Sequence, residues 1–135
     1  MNHSMEEHFV QAYIKKNRRE RLLYELTNSR KRYDGLSRFY HQARELLNPA
    51  LIRMEGSGLE QSPAFQEFVR QHNELCCLLS PDAALNERYA LLSEGVELAC
   101  ACFDAVIIIG SSFSVVFGES MKGGREKYLL KRVIS

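Results

Sequence analysis

Long apolar segments are missing from this sequence of 135 residues. Its longest stretch without a charged residue runs from Ala105 to Gly118, is interrupted by glycine and serine, and is too short to cross a bilayer as a helix. The N-terminal segment lacks the apolar core that a secretory signal requires. We therefore expect a cytoplasmic protein with no membrane partner.

Metal-binding cysteine motifs are also missing. The four cysteines form an adjacent pair, Cys76 and Cys77, and a Cys-x-Cys pair, Cys100 and Cys102. Neighbouring side chains of a strand point to opposite faces, and side chains two apart on a helix diverge by about 200°. Because neither pair converges, we predict reduced, free cysteines and no metal site.

The sequence lacks recognisable motifs for phosphate binding and catalysis. The glycine-containing stretches at 56–58 and 110–112 have no lysine-bearing loop that opens onto a helix, so we predict no nucleotide or other cofactor. His41 lies at the boundary of an apolar helical stripe, where a structural hydrogen bond is the commoner role. We expect no catalysis, and a catalytic set assembled from distant residues is the remaining enzymatic alternative.

Length and composition indicate one globular α+β domain over residues 1–135. Hydrophobic residues make up 45% of the chain and charged residues 26%, and this length suits one hydrophobic core. We predict that residues 1–48 form helices that pack on a sheet formed by residues 51–133. The sheet should end in a C-terminal antiparallel meander, with further helices interspersed among its strands.

Apolar residues spaced three and four apart predict the helices. The first region, up to about residue 27, fits one broken helix or two consecutive ones. The stripe from Leu36 to Leu47 is the most regular, and Asn48-Pro49 should end that helix. Ser62 before Pro63 should begin a short helix, and Ser93 is the expected cap of another.

Alternating and β-branched segments predict the strands. Residues 105–109 and 113–117 should form a hairpin around Gly110, and residues 126–132 should add the third strand of the meander. Segments 51–55 and 74–80 predict two more strands. Because the hairpin is apolar on both faces, we expect one face under the helices after Ser62 and Ser93 and the other under the N-terminal helices or a second subunit.

Charge is distributed unevenly along the chain. Residues 1–48 contain ten Lys/Arg and six Asp/Glu, whereas residues 49–104 contain three and nine, and residues 105–135 contain five and two. A solvent-facing helix surface, partly neutralised by Glu20 and Glu25, is the simplest interpretation of the basic segment. The candidate macromolecule-binding residues are Lys15, Lys16, Arg18, Arg19, Arg21, Arg30, Lys31 and Arg32.

These features favour a small interaction or regulatory domain without catalysis. It would bind another protein, or itself, through the basic helices or the apolar sheet. A nucleic-acid-binding module that uses the eight basic residues is the alternative, which the net charge of only +1 disfavours. An enzyme ranks third.

Overall fold

The structure is a computed structural model that describes residues 4–37, 43–118 and 125–132, and it has the predicted α+β class. The helices are α1 (Ser4–Tyr13), α2 (Arg19–Thr27), α3 (Arg32–Ser37), α4 (Ala43–Leu46), α5 (Pro63–Gln71) and α6 (Leu92–Ala101). The strands are β1 (Ile52–Glu55), β2 (Leu75–Leu79), β3 (Tyr89–Leu91), β4 (Val106–Ile109), β5 (Phe113–Phe117) and β6 (Lys127–Lys131).

The six strands form one antiparallel sheet in the order β1-β6-β5-β4-β2-β3. The predicted hairpin and meander are confirmed, since β4 pairs with β5 and β5 with β6. Strand β3 did not follow from the sequence. Its three residues are too few to show an alternating pattern, and α6 begins at the next residue.

Helices of this chain cover both faces of the central strands. On one face, Ile107, Ile109 and Val116 belong to a buried cluster with residues of α1, α2, α3 and α4. On the other, Ile108 and Val115 pack with residues of α5 and α6. The prediction that both faces are covered is confirmed, and the N-terminal helices provide the second cover.

Gly110 is required at the turn between β4 and β5. A Cβ atom at this position would lie 2.7 Å from both Cε atoms of the Phe113 ring, which is too close for any side chain. The Gly110 N–H also donates to the Phe113 carbonyl at 2.9 Å and closes the turn. The aromatic ring therefore lies directly over the turn backbone.

Two predicted helix starts have different outcomes. Helix α5 begins at Pro63 after Ser62, as expected, although the Ser62 side chain makes no capping hydrogen bond. Ser93 is not the cap of α6, which begins one residue earlier at Leu92. The Ser93 N–H instead donates to Oδ1 of Asn73 at 2.9 Å, so a residue distant in sequence caps this helix.

The helix predicted over residues 36–47 is confirmed only in part, because Leu47 forms an isolated β-bridge with Ile14 instead of a last helical residue. Residues 36 and 37 end α3, and residues 43–46 form α4. Residues 38–42, which include His41, lie outside the described residues.

Replacing Ile108 with alanine should lower the free energy of unfolding by about 2 to 5 kcal/mol. The side chain is fully buried between the central sheet and α6, so its loss leaves a cavity. Urea unfolding of Ile108→Ala and of Phe103→Ala makes the comparison, because Phe103 is 79% exposed. Equal stability of the two variants would contradict the buried position of Ile108.

Candidate functional site

The eight candidate basic residues divide into an exposed group and a partly buried group. Lys15, Arg19 and Arg32 are partly buried. The other five are exposed, and we call them the basic surface: Lys16, Arg18, Arg21, Arg30 and Lys31. These five are the most accessible to a ligand of the eight candidate residues.

Arg32 makes internal contacts with three separate parts of the chain. Its Nη1 donates to Glu6 Oε2 in α1 and to the Leu26 carbonyl near the end of α2, both at 2.9 Å. Its Nη2 donates to Asn86 Oδ1 at 3.0 Å, and Glu87 Oε1 lies 3.9 Å away. Arg32 therefore connects the helical segment to the loop between β2 and β3.

Arg19 also has an internal partner. Its Nε donates to the carbonyl of Ile14 at 3.0 Å, across the turn that separates α1 from α2. This contact holds the guanidinium against the helix connection, so we assign Arg19 a structural role together with Arg32.

Replacing Arg32 with glutamine should lower the free energy of unfolding by about 3 to 5 kcal/mol, because it leaves the buried Glu6 carboxylate without this cation. Arg30→Gln, two residues earlier and exposed, is the matched control and should change stability little. Chemical denaturation of both variants tests this. If Arg32→Gln were as stable as Arg30→Gln, the proposed structural role would be wrong.

Two exposed tyrosines lie among the cations of the basic surface. Tyr24 and Tyr33 are 59% and 61% exposed, and Asn28 Nδ2 lies 3.2 Å from the Tyr24 hydroxyl oxygen. Tyr24 follows Arg21 by three residues and shares its side of α2, a helix about 13 Å long. The surface therefore combines large aromatic side chains with positive charge.

Three carboxylates occur within the same segment, and one of them is buried. Glu20 and Asp34 are exposed, while Glu25 is buried with its Oε1 lying 3.8 Å from Arg21 Nε. The partial neutralisation expected from Glu20 and Glu25 is therefore present. Five exposed cations against two exposed carboxylates still leave a net positive surface.

A second feature is an open cleft of ≈ 490 Å³ between the start of α1 and the end of the sheet beside β3. Glu74 accepts hydrogen bonds there from the backbone N–H and the hydroxyl of Ser111, at 3.0 and 2.9 Å. The other lining residues are Ser4, Met5, His8, Leu75, Cys77, Tyr89, Ile109 and Gly110.

Burial favours the neutral forms of His8 and Cys77 in this cleft. Burial, with a smaller contribution from the positive charge of Arg132, lowers the pKa of His8. Burial raises the pKa of the Cys77 thiol. A protonated thiol is a poor nucleophile, so the arrangement does not activate the sulfur of Cys77 for catalysis.

The lowered pKa of His8 predicts a loss of stability in acid. Below the ordinary pKa of 6.5 the unfolded state binds the proton more readily than the folded state, so protonation favours unfolding. The free energy of unfolding should therefore fall more steeply from about pH 7 to about pH 5 in the wild type than in His8→Asn. Parallel pH profiles of the two proteins would contradict this environment for His8.

All four cysteines are free, as predicted, and Cys76 and Cys77 belong to the buried clusters on opposite faces of the sheet.

Sequence reasoning missed a grouping around Cys102. The Cys102 thiol donates a hydrogen bond to Asp82 Oδ2 at 3.5 Å. Together with Asp104, these residues offer three potential metal-ligand atoms that lie within 4.8 Å of one another. Burial raises the pKa of Cys102, which keeps the thiol as a hydrogen-bond donor. No local spacing relates residue 82 to residues 102 and 104.

Comparison with known proteins finds no matching family model, curated protein or solved structure. Within the described ranges, no helix has the length and apolar character needed to span a bilayer. The chemistry of the exposed surface is therefore the guide to what this chain binds.

Proposed function

We propose that this chain is an interaction module that binds an acidic protein through its basic surface. The supporting observation is that five cations and two tyrosines between residues 16 and 33 are all exposed. The sequence offered two routes to a partner, the basic helices and the apolar sheet. Because the chain's own helices cover the central sheet on both faces, the basic helices are the better route to a different protein.

The residue types favour a protein partner over a nucleic acid. Arginine and tyrosine are the residues that most often dominate binding energy in protein interfaces. Glu20 and Asp34 lie among the cations and would repel a phosphate backbone. An acidic protein can place its own cations opposite these two carboxylates, which gives the surface specificity as well as attraction.

The contact with Asn28 also supports a role for Tyr24 in binding. A hydrogen bond to the hydroxyl restricts the ring, so less side-chain entropy is lost when a partner packs against it. An aromatic side chain held in this way supplies apolar contact area beside the charged group of Arg21.

Single-stranded nucleic acid is the second candidate, and the exposure of Tyr24 and Tyr33 is the observation that favours it. Bases stack on exposed aromatic rings, and neighbouring cations bind the backbone phosphates. The overall net charge of +1 gives this candidate less support than the strongly basic balance of many nucleic-acid-binding domains would.

Fluorescence anisotropy with two labelled probes, a poly-glutamate peptide and an oligothymidylate of equal formal charge, tests the proposal. We expect the peptide to bind with an affinity that decreases between about 50 and about 200 mM salt. The triple variant Arg18→Gln, Arg21→Gln, Arg30→Gln should bind it about tenfold more weakly, since three exposed ion pairs of roughly 0.5 kcal/mol each are lost.

The matched control removes three exposed arginines elsewhere, as Arg44→Gln, Arg53→Gln, Arg70→Gln, and should keep the wild-type affinity. Equal weakening of peptide binding in the two triple variants would show that the basic surface is not the site. Preference for the oligonucleotide, with loss on replacing Tyr24 and Tyr33 by alanine, would assign the surface to nucleic acid instead.

A further inference from the structure

The two edges of the sheet differ in how they are protected. At β1, Arg53 and Glu55 are exposed, and the pairing with β6 is irregular between Ile52 and Met54. Charged side chains and bulges on an edge strand hinder its pairing with another strand. The edge at β1 therefore carries two features that oppose association.

The edge at β3 carries neither feature. Its residues are Tyr89, Ala90 and Leu91, and its pairing with β2 is regular over all three. Tyr89 and Leu91 are 59% and 46% exposed, and they share a face with Leu75, which is 63% exposed. This edge therefore combines an uncharged strand with an apolar surface.

The backbone of β3 is oriented for pairing on its outer side. Leu92 donates to the Glu74 carbonyl at 2.9 Å, and Leu78 donates to the Arg88 carbonyl at 2.8 Å. Because hydrogen-bonding positions alternate along an antiparallel strand, Ala90 also faces β2, while the N–H and C=O groups of Tyr89 and the N–H of Leu91 face outward. The Leu91 carbonyl accepts the first hydrogen bond of α6, because Leu91 is the N-cap of that helix. Among the described strands, β3 ends the sheet on this side.

We propose that β3 pairs with β3 of a second copy of this chain, in antiparallel orientation about a two-fold axis at Ala90. In this register Tyr89 lies opposite the partner's Leu91, and the Leu91 N–H of each copy donates to the Tyr89 carbonyl of the other. The sequence Tyr-Ala-Leu has large side chains at both ends and a small one in the middle, so it fits itself when the direction is reversed. A two-fold interface requires this self-complementarity.

The charges beside β3 fit the same arrangement. Arg88 precedes the strand and Glu94 follows it, and their side chains lie 3.3 Å apart in one copy. Because this pair is neutral as a whole, it places no net charge beside β3 that would repel a second copy. In the middle, each tyrosine packs against a leucine across the strands, which is a favourable cross-strand pair.

Sedimentation of the whole chain tests the proposal. We expect a mass near twice that of the 15.5 kDa chain, and a return to the single mass in Leu91→Pro and in Tyr89→Lys. Proline removes an outward N–H at a residue whose φ of −62° already suits it, and lysine places a charge on the edge without altering the backbone. Phe103→Lys, which removes an exposed aromatic away from this edge, should remain a dimer.

Circular dichroism checks that each variant is folded, and Tyr89→Lys decides the result if Leu91→Pro is not. Hydrogen exchange should show a slow amide at Leu91 in the wild type and a fast one in Tyr89→Lys. A wild type that stays monomeric, a folded Tyr89→Lys that stays dimeric, or a dimer with a fast-exchanging Leu91 amide would overturn the proposal. None of these outcomes bears on the basic surface.

Discussion

The structure depends on the need to cover both faces of strands β4 and β5. Their side chains are apolar in both directions, and each large apolar side chain left in water would cost about 1.5 to 3 kcal/mol. Helices α5 and α6 cover one face, and the N-terminal helices cover the other. This requirement fixes the inner side of α1 and α2 against the sheet and leaves most of their charged residues on the outer side, whereas Glu6 and Glu25 are buried close to Arg32 and Arg21.

Arg32 reinforces this arrangement at the margin of the sheet. Its contacts hold α1, the end of α2 and the loop before β3 together in one hydrogen-bonded group. The exposed cations Arg21, in α2, and Arg30 and Lys31, in the turn before Arg32, therefore lie on a segment that is anchored on a buried core. A surface held in this way can bind a partner without the entropy loss of ordering a loose segment.

The sequence predicted the parts of this fold that depend on local pattern. The β-branched hairpin, the meander and the start of α5 follow from periodicity and turn residues, whereas β3 is too short to show either. The internal role of Arg32 depends on Glu6 and Asn86, which lie 26 and 54 residues away in the chain, and the capping of α6 depends on Asn73, 20 residues before Ser93. Contacts at such separations leave no local signal, so the division of the basic residues into structural and exposed groups required the structure.

The basic surface and the edge at β3 are connected through Arg32, because this side chain contacts both the helical segment and the loop that leads into β3. Pairing of two chains through β3 would place two basic surfaces in one particle. Once one surface is bound to an acidic partner that offers repeated sites, the second would bind at a high effective concentration, so modest individual affinities would combine into tighter attachment. Each surface can form only a few charge pairs, and each exposed pair contributes little free energy in water. The gain from binding through two surfaces is therefore largest for a site of this kind.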